Sequence, residues 1–336
     1  MSQKPPPIAS VASRTATVDH GVERLEALFR ESGEILSWSS PFILPGWIQA
    51  WREAFAPDAR PWLISVRESA RLIGIAPLRR EDDTVRFLAS PDVCDHIDIV
   101  CDPRREAEFC GELLEVLRRD GIHRLDADPV RPDSAVLRRL VPEARRRGFA
   151  VSVLQEDVLY ALDLPESWDD YLQMLSAKQR HEIRRKLRRL GLQTAFEFRL
   201  ADTPAAIAAT VEEFLGLFRR NRSDKAEFMN RAMEGYFRSL AERLPEARIG
   251  VLDVDGMPAA AVMCFDHRGT RYLYNSGFDA AQSHLSVGIL CKVLSIREAM
   301  ARGLKGYDFL KGDETYKHQL GGRPVALYRC RIDLPG

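Results

Sequence analysis

The sequence predicts an α/β protein (with α+β character) built from two units in tandem, each a mixed central sheet flanked by helices. Three observations predict this. Short apolar runs of strand character alternate with amphipathic stretches of helix length. The same order of elements occurs in both halves of the chain. And "RRDGIHRLDAD" and "MARGLKGYDFL" share a helix-ending glycine, an aliphatic residue and a strand Asp: Gly121, Ile122, Asp126 and Gly303, Leu304, Asp308, each pair 182 positions apart. With 336 residues and 45% hydrophobic content, there is material for a core in each unit.

Taken in order, residues 1–20 carry three consecutive prolines and no continuous apolar run, so a disordered start is expected. The first unit then occupies 21–165. Trp47, Trp51 and Phe55 fall at helical spacing in "GWIQAWREAF", a core stripe; "PWLISVRES" and "RLIGIAPLRR" read as a strand hairpin. A strand in "HIDIVC", a helix over 104–119, a strand at "IHRLDAD", a helix over 136–147 and a strand within "FAVSVLQEDVLYALDL" follow. The second unit occupies 166–336. It opens with one long helix over 167–190, passes through strands at "RIGVLDVD", "MPAAAVMCFD" and "TRYLYNSGF", and closes with a helix over 285–302 and the strand "GYDFL".

Charge and cysteine usage narrow the function. Lys plus Arg equals Asp plus Glu at 49 each, so net charge predicts no DNA partner. The six cysteines form no C-x-x-C pair and several lie in apolar runs, the pattern of buried thiols in a reducing cytoplasm. No apolar stretch reaches the roughly 18 residues of a membrane span, so a soluble protein is expected, with peripheral membrane contact left open. In "PDVCDHIDIVC", alternation sends Ile97 and Ile99 to one face and His96 and Asp98 to the other, as a half-buried strand requires; no zinc spacing is present and no metal is expected. P-loop, nucleophile-elbow and H-E-x-x-H motifs are missing as well.

One local cluster stands out. In "SAKQRHEIRRKLRRLG", Ile183, Leu187 and Leu190 make an apolar stripe, while Lys178, Arg180, Arg184, Arg185, Lys186, Arg188 and Arg189 are offset only by Glu182. A solvated helix face would satisfy this pattern. A polyanion partner, whether a phosphate-rich small molecule, tRNA or an anionic membrane surface, would also relieve the like-charge repulsion along it.

Three motifs resemble one family. Ser176, Arg180, Arg184 and Arg185 fit S-x-x-x-R-x-x-x-R-R; Tyr274, Gly277 and Asp279, then Ser286 and Gly288, fit Y-x-x-G-x-D followed by S-x-G. Tyr307, Asp308, Phe309, Gly312, Tyr316 and Lys317 fit aromatic-D-F-x-x-G-x-x-x-Y-K. Over residues 40–335 the chain thus resembles GNAT-superfamily acyltransferases of the CelD-like and FemAB-like kind, which carry paired GNAT folds.

The resemblance implies an enzyme that transfers an acyl group from acyl-CoA (acetyl-CoA) to an amine acceptor, a small molecule or a cell-envelope or polysaccharide precursor. It places the donor pyrophosphate at the helix start formed by His284, Leu285, Ser286, Val287 and Gly288. There Gly288 allows close backbone approach, and Ser286 either caps the helix or bonds phosphate. Glu314 or Asp313 is the candidate base and Tyr316 the candidate acid. Lys178, Arg180, Arg184, Arg185, Asp308, Lys311 and Lys317 are candidate substrate contacts. Fem-type relatives use aminoacyl-tRNA instead, which suits the basic helix, and a non-catalytic polyanion-binding protein on the same scaffold is a further alternative.

Overall fold

The computed structural model describes residues 13–221 and 230–335. Its first half runs β1 (Arg14–Asp19), α1 (Glu23–Ser32), α2 (Pro45–Phe55), β2 (Pro61–Glu68), β3 (Arg71–Glu81), β4 (Thr84–Phe87), β5 (Val100–Cys101), α3 (Glu106–Arg119), β6 (Arg124–Val130), α4 (Val141–Arg146) and β7 (Ala150–Asp163). The second half runs α5 (Trp168–Met174), α6 (Ala177–Gln193), β8 (Phe196–Ala201), α7 (Pro204–Asn221), α8 (Arg231–Arg243), β9 (Ala247–Val254), β10 (Met257–His267), β11 (Thr270–Phe278), α9 (Val287–Ala301), β12 (Gly306–Lys311), α10 (Thr315–Gln319) and β13 (Arg323–Asp333).

The duplication read from a few letters extends through the whole fold. Strands β2, β3 and β4 begin at Pro61, Arg71 and Thr84, and β9, β10 and β11 begin 186 positions later at Ala247, Met257 and Thr270. Each unit makes one parallel crossover of three residue pairs: Thr84–Arg86 with Arg124–Asp126 through α3, and Thr270–Tyr272 with Gly306–Asp308 through α9. Gly121 and Gly303, which end those helices, both adopt positive φ, +71° and +77°, a conformation glycine enters without a Cβ penalty.

All the strands join one sheet in the order β1-β2-β3-β4-β6-β13-β7-β12-β11-β10-β9-β8, with β5 beside β3. The units exchange their last strands. β7, from the first half, lies against β12, whereas β13, from the end of the second, lies against β6, and the two pair antiparallel along their whole length at the centre. The division at 165/166 therefore follows the chain but not the sheet.

Period-two alternation separates two apolar layers. In β10, Ala261, Met263 and Phe265 join a layer containing Trp47, Trp51, Phe214 and Phe237, whereas Ala260, Val262 and Cys264 join Tyr171, Leu290, Ile296 and Phe309 on the other face. All six cysteines are free and buried. No helix among the described residues is long and apolar enough to cross a membrane.

Four local expectations need correction. Residues 1–12 lie outside the described residues, but 14–19, expected to be disordered, form β1 on the edge of β2. The helix expected over 167–190 is two helices, because Leu175 is extended and Ser176 begins a new one: its Oγ accepts from Gln179 N at 3.3 Å while Gln179 Oε1 accepts from Ser176 N at 3.1 Å. The "HIDIVC" strand shrinks to Val100–Cys101 plus a single bridge from Ile97 to Val130. His96 and Asp98, expected on a solvated face, are 4% and 7% exposed; Asp98 is satisfied there by backbone N–H groups of Ile99, Ala135 and Val136.

Candidate active site

After Tyr272 and Asp308 the parallel strands β11 and β12 stop pairing, and the gap opens into a cavity of ≈ 750 Å³. Its walls bring together residues far apart in sequence: Asp92, Val93 and Asp95 from the first unit, Leu273–Ser276 and Phe278 from β11, Ser286 just before α9, Val287–Ile289 and Lys292 from α9, Phe309–Lys311 from β12, and Glu314, Tyr316 and Lys317 beyond it. In the first unit the corresponding gap is bridged by its own chain, since Ile97 N donates to Pro129 O at 2.8 Å.

The end of β12 is bent into this shape by the motif residues. Asp308 Oδ1 accepts from Leu310 N at 2.8 Å across a bulge against β7, and Leu310 (φ +62°) and Gly312 (φ +106°) take left-handed conformations. Lys317 holds the turn closed. It is 1% exposed, and its Nζ donates to the carbonyls of Leu310, Lys311 and Gly312 at 3.0, 2.6 and 3.1 Å and pairs with Glu314 at 2.8 Å. An ammonium has three donors and here they all face protein acceptors, so Lys317 shapes the site rather than meeting a substrate. The charged residues after "GYDFL" are thus largely a device for folding a strained turn.

Tyr316 is enclosed, and burial, then the Glu314 charge, raises its phenol pKa well above the ordinary value, so it stays protonated. The Lys292 ammonium lies 4.9 Å from its ring centroid and donates to Gly288 O at 3.1 Å. Glu314 lines the cavity with its side chain 58% exposed. Asp313 does not line it: the carboxylate is 72% exposed and accepts from Tyr160 Oη at 2.5 Å and pairs with His318 Nε2 at 3.2 Å, contacts that hold its pKa below the usual range. Asp308 is turned to the other face of the sheet, where it pairs with Arg131 at 2.9 Å. Neither Asp313 nor Asp308 therefore reaches this cavity, contrary to the roles expected for them.

Sequence reasoning missed Asp95. Its carboxylate accepts the backbone N–H of Lys311 at the very end of β12, and burial pushes its pKa up to about 6, against the pull of the Lys311 charge. Lys311 Nζ in turn donates to Pro91 O at 2.6 Å, fastening the Asp95 loop to the strand end. The only signal in the sequence was the polar cluster "CDHID", which suggests a metal before it suggests a base. Among the described residues no group of three or more His, Cys, Asp or Glu is placed to hold a metal ion.

At the helix start, Ser286 sits at φ +62° and its hydroxyl does not cap α9; it accepts from Arg189 Nη2 at 3.1 Å instead. Leu285 is buried and His284 is exposed. Val287 and Gly288 supply the first N–H groups of α9, which precede any intrahelical acceptor and are suited to phosphate. A Cβ on Gly288 would stand 2.8 Å from Phe278 Cδ1, and Phe278 is itself a cavity wall. Gly288→Ala should therefore push that ring into the cavity and weaken acyl-CoA binding by about 10-fold by calorimetry; unchanged affinity in the folded variant would remove this helix start from the donor site. Gly277 is also forced, because a Cβ there would stand 2.5 Å from Phe218 N of α7. On α6, Arg185 is paired with Glu182 at 2.7 Å and so is not available, whereas Lys178, Arg184 and Arg188 are exposed and Arg180 is half-buried.

The site is thus a cleft between splayed parallel strands, with a helix start at one end and a carboxylate and a phenol at the other. Residues 177–318 match the acetyltransferase (GNAT) domain family. Among solved structures, FemX aligns over 96% of this chain and 97% of its own, with a TM-score of 0.66 at 11% identity. A conserved protein of unknown function from Bacteroides thetaiotaomicron aligns over 95% and 100% (TM-score 0.57, 9% identity), and the L-PGS structure from Bacillus licheniformis over 84% and 90% (0.53, 11%). No curated protein sequence matches the chain. Residues 177–318 thus carry a GNAT acetyltransferase domain, and the chain as a whole shares the fold of FemX.

Proposed function

We propose that the chain transfers an acyl group from acyl-CoA, acetyl-CoA being the simplest, to a primary amine on a small molecule or on a cell-envelope or polysaccharide precursor. The observation that supports this best is the convergence of Asp95, Tyr316 and the start of α9 on one cavity. With the pyrophosphate on the Val287 and Gly288 N–H groups, the pantetheine arm follows the unpaired edge left where β11 and β12 part. The amine then attacks the thioester carbonyl, the C–N bond forms and the C–S bond breaks. Asp95 takes the proton released from nitrogen, directly or through water, and Tyr316 protonates the departing thiolate. Glu314, more exposed and paired with Lys317, serves better to orient the acceptor than to deprotonate it. Intact-mass detection of acyl transfer from a panel of acyl-CoAs to amine acceptors tests the reading; binding of a polyanion without turnover of any donor would favour the non-catalytic scaffold.

Arg189 gives a specific reason to keep the aminoacyl-tRNA alternative, because it carries the basic face of α6 to Ser286 at the cavity mouth. If that face holds a nucleic-acid donor, Arg184→Gln with Arg188→Gln should weaken tRNA binding and flatten its salt dependence, by a log–log slope of about one to two for two lost contacts. Arg185→Gln should change the slope less, since Glu182 already neutralises it. A salt slope indifferent to the double substitution assigns the face to solvent.

A further inference from the structure

A second cavity, of ≈ 320 Å³, lies on the seam between the units and shares no lining residue with the first. Most of its charged wall is matched internally. Arg131 donates to Asp308 at 2.9 Å and to Asp133 at 3.1 Å, and both oxygens of Asp98 accept backbone N–H groups. Three of the charged or imidazole wall groups form no hydrogen bond or ion pair among the described residues: the exposed Arg268 guanidinium, the exposed Asp163 carboxylate, and Nε2 of His96, which is 4% exposed. Burial, together with the Arg131 charge, holds the imidazole neutral. A buried ring nitrogen without a partner is a costly feature that a ligand can relieve.

Arg268 is also an unusual residue for its place. It opens the tight turn between β10 and β11 at φ +47°, followed by Gly269 at φ +78°. Asn, Asp or Gly normally fills that first position, and the preceding hairpin does use Asp255 before Gly256. An arginine held in this conformation places a cation at the cavity rim. The turn is close to the opposite charge: Gly306 pairs with Thr270 on one side and with Asp163 on the other.

We propose that this cavity binds a free amino acid or a similar zwitterion, its carboxylate on Arg268, its ammonium on Asp163, and a polar side chain reaching in to His96. A separated plus and minus at the rim with a neutral hydrogen-bonding group at the inner wall fits such a ligand better than a simple anion, which Asp163 would repel, or a simple cation, which Arg268 would repel. The site does not depend on the acyl-transfer reading.

Calorimetric titration of the full chain with L-glutamine tests it, with N-acetyl-L-glutamine and 4-aminobutanamide as probes lacking the ammonium and the carboxylate. Glutamine should bind saturably, and each truncated probe at least about 10-fold more weakly. Arg268→Asn, which suits a positive φ, and Asp163→Asn should each weaken glutamine by about 10-fold, both being exposed positions where folding is unaffected. His96→Phe, packed against Phe42 and Tyr272, should erase the preference for glutamine over alanine. The proposal is overturned if glutamine gives no saturable heat at millimolar concentration, if either truncated probe binds as well as glutamine, or if both rim variants bind like the parent.

Discussion

Asp95→Asn should lower kcat by at least about 100-fold at neutral pH while acyl-CoA binding is retained, because the amide keeps the hydrogen bond to the Lys311 N–H but cannot take a proton. In the parent, kcat should fall about tenfold per pH unit below about 6, where the carboxyl becomes protonated and ceases to be a base. A second readout separates this from mere structural damage. The folded protein favours the neutral carboxyl, so the unfolded chain ionises it first: stability declines as pH rises from about 4 to about 6, and above that the full cost of a buried charge is carried. The variant, which never carries that charge, should be more stable than the parent at pH 8, by on the order of 1–3 kcal/mol, and nearly equal at pH 4. An inactive but stabilised variant identifies a site residue. Full activity in Asp95→Asn combined with loss in Glu314→Gln would move the base to Glu314.

Lys317→Met should destabilise the chain by about 3 kcal/mol or more, since the carbonyls of Leu310, Lys311 and Gly312 lose their common donor in a turn that already holds two positive φ values. Urea unfolding measures this. A turn that opens also releases Tyr316 and the backbone N–H that holds Asp95, so activity should fall in parallel with the lost stability. A Lys317→Met protein of parental stability with a raised acceptor KM would instead mean that the ammonium meets the substrate after all.

These two residues show what was legible in the sequence. The strands around "RIGVLDVD", "MPAAAVMCFD" and "GYDFL" could be placed because an apolar period survives in isolation, and the paired glycines at 121 and 303 marked the repeat because each needs a positive φ. Lys317 was legible as a motif position but not as a turn clasp, since its partners are carbonyls, which every residue has. Asp95 was illegible as a candidate base: its raised pKa comes from enclosure against a strand end more than 200 positions away, and no local pattern encodes that. Asp313 was misread for the converse reason. It adjoins Glu314 in sequence, yet the bend at Gly312 leaves it facing Tyr160 and His318.

The exchanged strands also set an order on biogenesis. While the ribosome is still making the second half, β6 and β7 have no neighbour between them, because β13 follows β7 only after a long intervening stretch of chain. Both strands then present unpaired backbone along a nascent sheet for the time needed to add about 170 residues, tens of seconds at ordinary elongation rates. Such edges are templates for pairing with other chains. A fragment ending near residue 165 should consequently associate or recruit chaperones, and a separately supplied peptide of residues 323–333 should compete for the vacant slot.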